Sequence, residues 1–116
     1  LSTGATRFLV NGEPTEGKLA LGHRGVCRVK LHATGRAAHS GYPHLGESAI
    51  EKLLDALEQV RRMSLPVDAV LGPTQVNIGG ISGGLAPNVI APSASADLLF
   101  RIVTPYDEVL QALAPI

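Results

Sequence analysis

The chain has 116 residues, which is enough for one domain with a core of its own. Its ten basic and ten acidic residues cancel, no block of like charge occurs, and aromatic residues make up only 3% of the chain. This composition excludes the basic, aromatic-lined surface that nucleic-acid binding needs, and no apolar run is long enough to predict a membrane span.

The single cysteine, Cys27, cannot form an internal disulfide. Together with the lack of a recognisable signal peptide, this favours a reducing compartment and predicts a cytoplasmic protein. The chain begins with Leu1 rather than methionine, so we expect it to be a piece of a longer protein.

The first predicted element is a short strand of the buried type at Phe8-Leu9-Val10. No later segment obviously requires this strand as a partner. We therefore predict that residues 1–20 are the end of a preceding domain and that residues 21–116 form a domain of their own.

The second predicted element is a strand over Val26–Arg36, in which apolar and polar residues alternate. A period of two with one polar face is typical of a strand in a sheet that is covered on one side only. The two faces consist of Cys27, Val29, Leu31 and Ala33 and of Arg28, Lys30, His32 and Thr34. The segment Val26–Thr34 is also a candidate for edge pairing with another copy of the chain.

A loop rich in Gly, Ser and Pro follows over Gly35–Gly46, and the pattern then changes to a helix over Glu47–Met63. Glu58 and Arg62 are four residues apart on its outer face, in the order that favours an ion pair. Its predicted apolar stripe consists of Ile50, Leu53, Leu54, Leu57 and Val60.

The remaining elements are a connector over Ser64–Pro73, two strands and a second helix. The strand Thr74–Ile81 has Val76 and Ile78 inward, and the third amphipathic strand runs from Ala94 to Ile102. The glycines Gly79, Gly80, Gly83 and Gly84 predict a turn between these two strands. The second helix is predicted to begin with Thr104 as its cap and Pro105 as its first residue, and to contain Val109, Leu110 and Leu113.

The order of strand, helix, strand, strand and helix predicts an α+β fold of the ferredoxin-like type. In that fold an antiparallel sheet carries two helices on one face. A complete ferredoxin-like domain has one more strand after the second helix, so we expect the last strand to be missing from this chain.

Four polar residues are candidates for chemistry, namely Glu13, His39, Asn88 and Arg101. Taken singly, each has an ordinary structural explanation as a loop, turn or solvent-facing residue. Ser40 and Asp97 do not make a convincing triad with His39, because adjacent side chains are rarely placed for proton transfer. The run GGISGG lacks the lysine and the following helix of a phosphate-binding loop, and no His or Cys pair has the spacing of a zinc site.

Three longer motifs together resemble the middle of the di-zinc aminoacylase and peptidase family, which includes acetylornithine deacetylase, succinyl-diaminopimelate desuccinylase and glutamate carboxypeptidases. They are NGEPTEGKLALGHRG, GRAAHSGYPHLGESAI and GGLAPNVIAPSASADLLFRIV, and they cover nearly the whole chain in the family's order. The resemblance implies that residues 21–116 are the inserted dimerisation or lid domain. Residues 1–20 would then be the end of the first catalytic-domain segment.

The resemblance also implies roles for single residues. Glu13 of GEPT matches a zinc ligand, one of a set for two zinc ions whose other members lie outside this chain, so no zinc is expected on the fragment itself. His39 matches a histidine that reaches into the partner subunit's site and stabilises the oxyanion of the tetrahedral intermediate. Asn88 and Arg101 match residues that bind the substrate carboxylate, and Gly83 and Gly84 would let the backbone approach the ligand. In NVIAP the inserted Ala91 departs from the family's usual NVIP.

The function implied is therefore that of a homodimerising domain in a zinc-dependent hydrolase of N-acyl amino acids or peptides. It would work beside the catalytic zinc domain of the same protein and would be inactive alone. The motifs favour the deacetylase branch. Two alternatives remain open: a non-catalytic regulatory module of ferredoxin-like fold, and a purely structural dimerisation module in which His39 has no chemical role.

Overall fold

The computed structural model of the chain describes residues 8, 10, 12 and 14–116. Within them, five strands and two α-helices follow one another, with a short 3₁₀ helix at Pro43–Leu45. The strands and α-helices in chain order are β1 (Gly25–Thr34), α1 (Ala49–Arg62), β2 (Val67–Asp68), β3 (Gly72–Pro73), β4 (Gln75–Gly83), β5 (Ser93–Ile102) and α2 (Tyr106–Leu113).

The main sheet has three antiparallel strands in the order β1-β5-β4. Its register pairs Cys27 with Phe100 and Ile78 with Leu98, so the inward residues of all three strands share one face. This is the strand order of a ferredoxin-like sheet, in which a fourth strand would lie beside β1. Among the described residues, no strand of the main sheet lies on the outer edge of β1. The predicted α+β, ferredoxin-like fold is confirmed.

The core lies between this face of the sheet and the two helices. The central strand β5 contributes every second residue to the core, and Phe100 is completely buried. From the helices, Leu53, Leu57 and Val109 are buried against the strand. Burial also raises the pKa of the Cys27 thiol on β1, which keeps it protonated within the core.

Helix α1 begins at Ala49, because the hydroxyl of Ser48 accepts a hydrogen bond from the N–H of Glu51. The predicted ion pair between Glu58 and Arg62 is present at 2.7 Å. Two members of the predicted apolar stripe are not buried, since Ile50 and Leu54 are 36% and 49% exposed. The buried stripe is centred on Leu53 and Leu57, and Ile50 and Leu54 lie on its flank.

Two predicted boundaries are wrong. Strand β4 continues through Gly79 and Gly80, where a bulge after Ile78 absorbs the irregular register, and the chain turns only at Gly84, whose φ is +81°. Helix α2 begins at Tyr106, and no side chain caps it. Pro105 is extended and occupies the cap position itself, so Thr104 lies one residue before the position from which a side chain could cap the helix. The Thr104 hydroxyl is buried and has no hydrogen-bond partner among the described residues.

The connector after α1 contains a small hairpin, β2–β3, that the sequence did not predict. The Asp68 carboxylate accepts hydrogen bonds from the N–H groups of Leu71 and Val70, at 2.7 and 2.8 Å. These bonds stabilise the charged form and lower the pKa of Asp68.

The described residues before β1 form no helix or strand; they contain a turn at 15–18 and are mostly exposed. The predicted strand at Phe8–Val10 is not seen at Phe8 or Val10, which are 87% and 95% exposed, and Leu9 lies outside the described residues. No helix in the described part of the chain is long and apolar enough to cross a membrane.

Candidate functional site

The loop that carries His39 pairs with the loop between β4 and β5. The N–H of Ser40 donates to the Asn88 carbonyl at 2.9 Å, and the N–H of Ile90 donates to the Ala38 carbonyl at 2.8 Å. These bonds make an isolated antiparallel bridge between His39 and Val89. His39 and Asn88, 49 residues apart in sequence, are therefore neighbours, and both are exposed to solvent.

The base of the His39 loop is closed by a second bridge, in which Arg36 and Glu47 exchange backbone hydrogen bonds of 2.8 and 2.9 Å. The ammonium of Lys52 contacts the Glu47 carboxylate at 2.7 Å. The hydrogen bond and charge of Lys52, with a smaller contribution from the charge of Arg36, lower the pKa of Glu47. The loop is thus anchored at its base on the start of α1.

Two glycines make this anchoring geometrically feasible. A Cβ on Gly35 would collide with the carbonyl oxygen of Glu47 and lie 2.8 Å from the backbone nitrogen of Ala49. A Cβ on Gly46 would lie 2.5 Å from the Ile90 side chain. Only glycine fits where the two loops and the helix start meet.

The His39 side chain is oriented by its own turn. The N–H of Tyr42 donates to the His39 carbonyl at 2.9 Å, and the N–H of Gly41 donates to His39 Nδ1 at 3.0 Å. The Tyr42 ring lies beside the imidazole, with a centroid separation of 6.0 Å. The imidazole is exposed, so its Nε2 edge is open to a group from outside the chain.

Gly83 and Gly84 lie at the same end of the sheet as His39 and Asn88. A Cβ on Gly83 would lie 2.7 Å from the Ala94 Cβ, and Gly84 has the left-handed φ noted above. Both glycines therefore have a packing or backbone reason that is independent of any ligand. Their part in binding substrate stays a prediction.

Arg101 lies far from this loop pair. It is on the solvent-facing side of the sheet near the end of β5, opposite Val26 and Gln75. At about 3.3 Å per residue, the strand from Ser93 to Arg101 spans roughly 26 Å. Arg101 borders an open depression with Asn77 and Leu99, and it makes no salt bridge with a described residue. The structure therefore brings His39 and Asn88 together and leaves Arg101 at the opposite end of the sheet.

Glu13 lies outside the described residues. The described part of the chain contains no group of three or more His, Cys, Asp or Glu side chains that could hold a metal ion. It does not build a metal centre by itself, and the predicted zinc stays a prediction for the longer protein.

The two competing motifs are not assembled into sites. Asp97 lies in the middle of β5 and pairs with Lys30 at 3.4 Å, while His39 Nδ1, the atom that a triad aspartate would accept from, is occupied by the N–H of Gly41. The run GGISGG is the end of β4 and its turn, and it leads into no helix N-terminus that could bind phosphate.

A strip of exposed apolar side chains was not predicted as a surface. It consists of Ile50, Leu54, Ile81 and Leu85, and we call it the apolar strip. Ile50 approaches the turn at Gly84, where a Cβ would lie 3.3 Å from its Cδ1, and Leu54 lies one helical turn further along. Ile81 and Leu85 are 59% and 74% exposed. The approach of Ile50 to Gly84 connects the α1 part of the strip with the end of β4, next to Leu85.

Comparison with known proteins gives one consistent result. Residues 21–114 match a sequence profile described as a peptidase dimerisation domain, M20_dimer. The chain is 47% identical over 91 residues to a peptidase M20 domain-containing protein of Schizosaccharomyces pombe, covering 78% of this chain and 23% of that one. It is 45% identical over 102 residues to an Aspergillus niger protein named "Probable carboxypeptidase", covering 81% and 24%. The chain thus spans about a quarter of the length of these relatives.

Solved structures agree on the fold. An aminobenzoyl-glutamate utilization protein from Klebsiella pneumoniae superimposes with a TM-score of 0.68 at 22% identity, over 80% of this chain and 24% of that chain. A tripeptidase from Staphylococcus aureus gives a TM-score of 0.59 at 26% identity, over 77% and 22%.

Proposed function

The chain belongs to the M20 peptidase dimerisation-domain family, and from that premise we propose that it joins two subunits of a longer amide-bond hydrolase and lends residues to the partner's active site. In this proposal His39 and Asn88 of one copy serve the active site of the other copy. Arg101 serves the site of its own subunit. The chain alone, without a catalytic domain, is inactive.

The observation that carries the proposal is the separation of the candidate residues. His39 and Asn88 are adjacent, whereas Arg101 lies roughly 26 Å along β5 from their end of the sheet. A small N-acyl amino acid or peptide cannot contact both ends of one such sheet. In a two-fold dimer each interface residue appears twice, so each of two sites can receive one group from either copy. This arrangement supports a contribution in trans.

The apolar strip supports a particular dimer interface. The sequence made the edge of β1 a candidate for pairing, but a ferredoxin-like fourth strand would occupy that edge. The other free edge, β4, ends next to Gly84, where Ile50 of α1 approaches, and Leu54 lies one helical turn further along α1. Pairing β4 with its copy would satisfy its unpaired backbone groups and cover the apolar strip from both sides. We therefore place the interface at β4 and α1.

The chemistry of each residue fits its proposed task. An exposed imidazole N–H can donate to the oxyanion that develops when an amide carbonyl is attacked, and the loss of one such donor costs about 10²–10³ in rate. The guanidinium of Arg101 can bind a substrate carboxylate through two parallel hydrogen bonds. Zinc bound by the longer protein would activate the attacking water, with Glu13 as one carboxylate ligand.

Mixing variants of the full-length protein tests the proposal. His39→Ala and Arg101→Ala homodimers are each expected to be nearly inactive. In a dimer of one His39→Ala and one Arg101→Ala subunit, one site receives Arg101 from its own subunit and His39 from its partner, so that site is restored. Since half of randomly mixed dimers are hybrids and each has one working site, the mixture should recover about a quarter of wild-type activity.

The control is the double variant His39→Ala/Arg101→Ala mixed with wild type. In such a hybrid each site lacks one of the two residues, so hybrid formation should abolish the activity of both sites. If the two single variants recover no activity although hybrid dimers are demonstrated by mass, His39 and Arg101 come to each site from the same subunit or do not act. The proposed division, with His39 acting in trans and Arg101 in its own subunit, would then be rejected.

A further inference from the structure

We infer that Gly41 is a positioning residue: its backbone N–H holds the neutral His39 imidazole in the tautomer that carries its proton on Nε2. The tautomer itself depends only on contacts within this chain. Its consequence for catalysis rests on the proposed function.

The geometry of the hydrogen bond defines the tautomer. The N–H of Gly41 points at His39 Nδ1 over 3.0 Å, within the normal range for N–H donors. A backbone N–H can only donate, so Nδ1 must present its lone pair. In a neutral imidazole exactly one nitrogen carries hydrogen, and that nitrogen is then Nε2.

The backbone on either side keeps this bond in place. Ser40 is tied to the opposite loop through the carbonyl of Asn88, and Tyr42 closes the turn on the His39 carbonyl. Gly41 is therefore the middle of a segment held at both ends. Its N–H makes no hydrogen bond to a described backbone group and donates to the imidazole instead.

The residue type also matters at position 41. A Cβ on Gly41 would lie 3.1 Å from His39 Nδ1 and 3.4 Å from Cε1, closer than such atoms normally approach. An alanine would therefore push the ring away from the N–H. Sequence reasoning predicted a loop here but did not indicate that the Gly41 N–H would bind a ring nitrogen of His39; bonds from a side chain to the backbone two residues on are the known turn habit of Asn and Asp.

The consequence is that the imidazole is prepared as a donor. With Nδ1 occupied, the Nε2–H is the group that His39 presents to solvent, and no described residue accepts from it. An oxyanion needs a donor that is already oriented when charge develops. Gly41 would supply this orientation without touching the substrate.

Nuclear magnetic resonance on the ¹⁵N-labelled chain tests the inference directly. At about pH 8.5, where free imidazole is neutral, a scalar coupling across the hydrogen bond should connect the Gly41 amide nitrogen with His39 Nδ1. The ratio of Nε2–H to Nδ1–H tautomer should exceed that of the same histidine in the urea-unfolded chain by about three- to tenfold, as expected for one hydrogen bond. Gly41→Ala should remove the coupling and return the ratio toward the unfolded value.

Ser40→Ala is the matched control, because it changes the adjacent residue and leaves the Gly41 N–H and the ring contact intact. It should retain both the coupling and the ratio. A wild-type chain with no coupling, or with the tautomer ratio of the unfolded chain, would overturn the inference. Since the measurement needs no enzyme activity, it stands or falls separately from the subunit-mixing experiment.

Discussion

Leu54→Ala should weaken the dimer by an amount that follows from its exposure. Leu54 is 49% exposed in the isolated chain, so a partner can still cover about half of its side chain. Full burial of a leucine is worth about 1.5–3 kcal/mol, and half of that is about 1 kcal/mol. The two-fold symmetry places the change in the interface twice, which gives about 2 kcal/mol and an increase in the dimer dissociation constant of about 30-fold.

The monomer should be unharmed by this change. Leu54 lies inside α1 on its exposed flank, and alanine is at least as favourable as leucine in a helix. Circular dichroism and the midpoint of chemical unfolding should therefore stay close to wild type. Any loss of mass in solution can then be assigned to the interface.

The assay is sedimentation equilibrium or light scattering over a concentration series. Val70→Ala is the control, because Val70 is 73% exposed in the turn of the β2–β3 hairpin and is not part of the apolar strip. It should leave the dissociation constant unchanged. If Leu54→Ala changes it by less than twofold, or if Val70→Ala weakens the dimer equally, the apolar strip is not the interface.

Three further predictions concern the loop and the connector. Gly35→Ala should lower the free energy of unfolding by about 1–3 kcal/mol or more, measured in urea, because its Cβ would meet rigid backbone. Ser48→Ala should cost about 1 kcal/mol in the same assay through loss of the cap on the Glu51 N–H. The pKa of Asp68 is lowered in the folded chain, mainly by the Leu71 N–H, so its stabilising contribution is present above the ordinary pKa of an aspartate and is lost as the pH falls through the lowered value. The difference in unfolding free energy between wild type and Asp68→Ala should accordingly be constant near neutral pH and shrink in acid.

The alternating and helical patterns predicted the elements of the core correctly, because burial on one face determines both the period and the register. This is clearest in β5, where every second residue is buried as expected. Boundaries that depend on local backbone choices were predicted less well. The sequence could not show that β4 tolerates two glycines through a bulge, or that Pro105 occupies the cap position instead of Thr104.

The candidate site was only partly accessible from sequence. The resemblance implied a partner-site role for His39 and substrate-carboxylate binding for Asn88 and Arg101, but motifs carry no information on distance. The backbone bridge between His39 and Val89 and the length of β5 decide which of these residues are neighbours. Ile50 and Leu54 were assigned to the core because periodicity alone cannot distinguish an apolar face that packs within the chain from one that packs against a second copy.

The bridge between Arg36 and Glu47 has a consequence for how the His39 loop can vary. Because this bridge closes the loop at its base, and Ala38 and Ser40 pair with the loop between β4 and β5, the part of the loop that can change length without breaking either pairing is residues 41–46. The entropy of closing such a loop grows only logarithmically, so doubling its length costs about 0.6 kcal/mol. Insertions there would thus enlarge the surface beside the imidazole at small cost to the fold, while the loop pairing keeps His39 in place. The surface around His39 is therefore a property that evolution can adjust independently of the core.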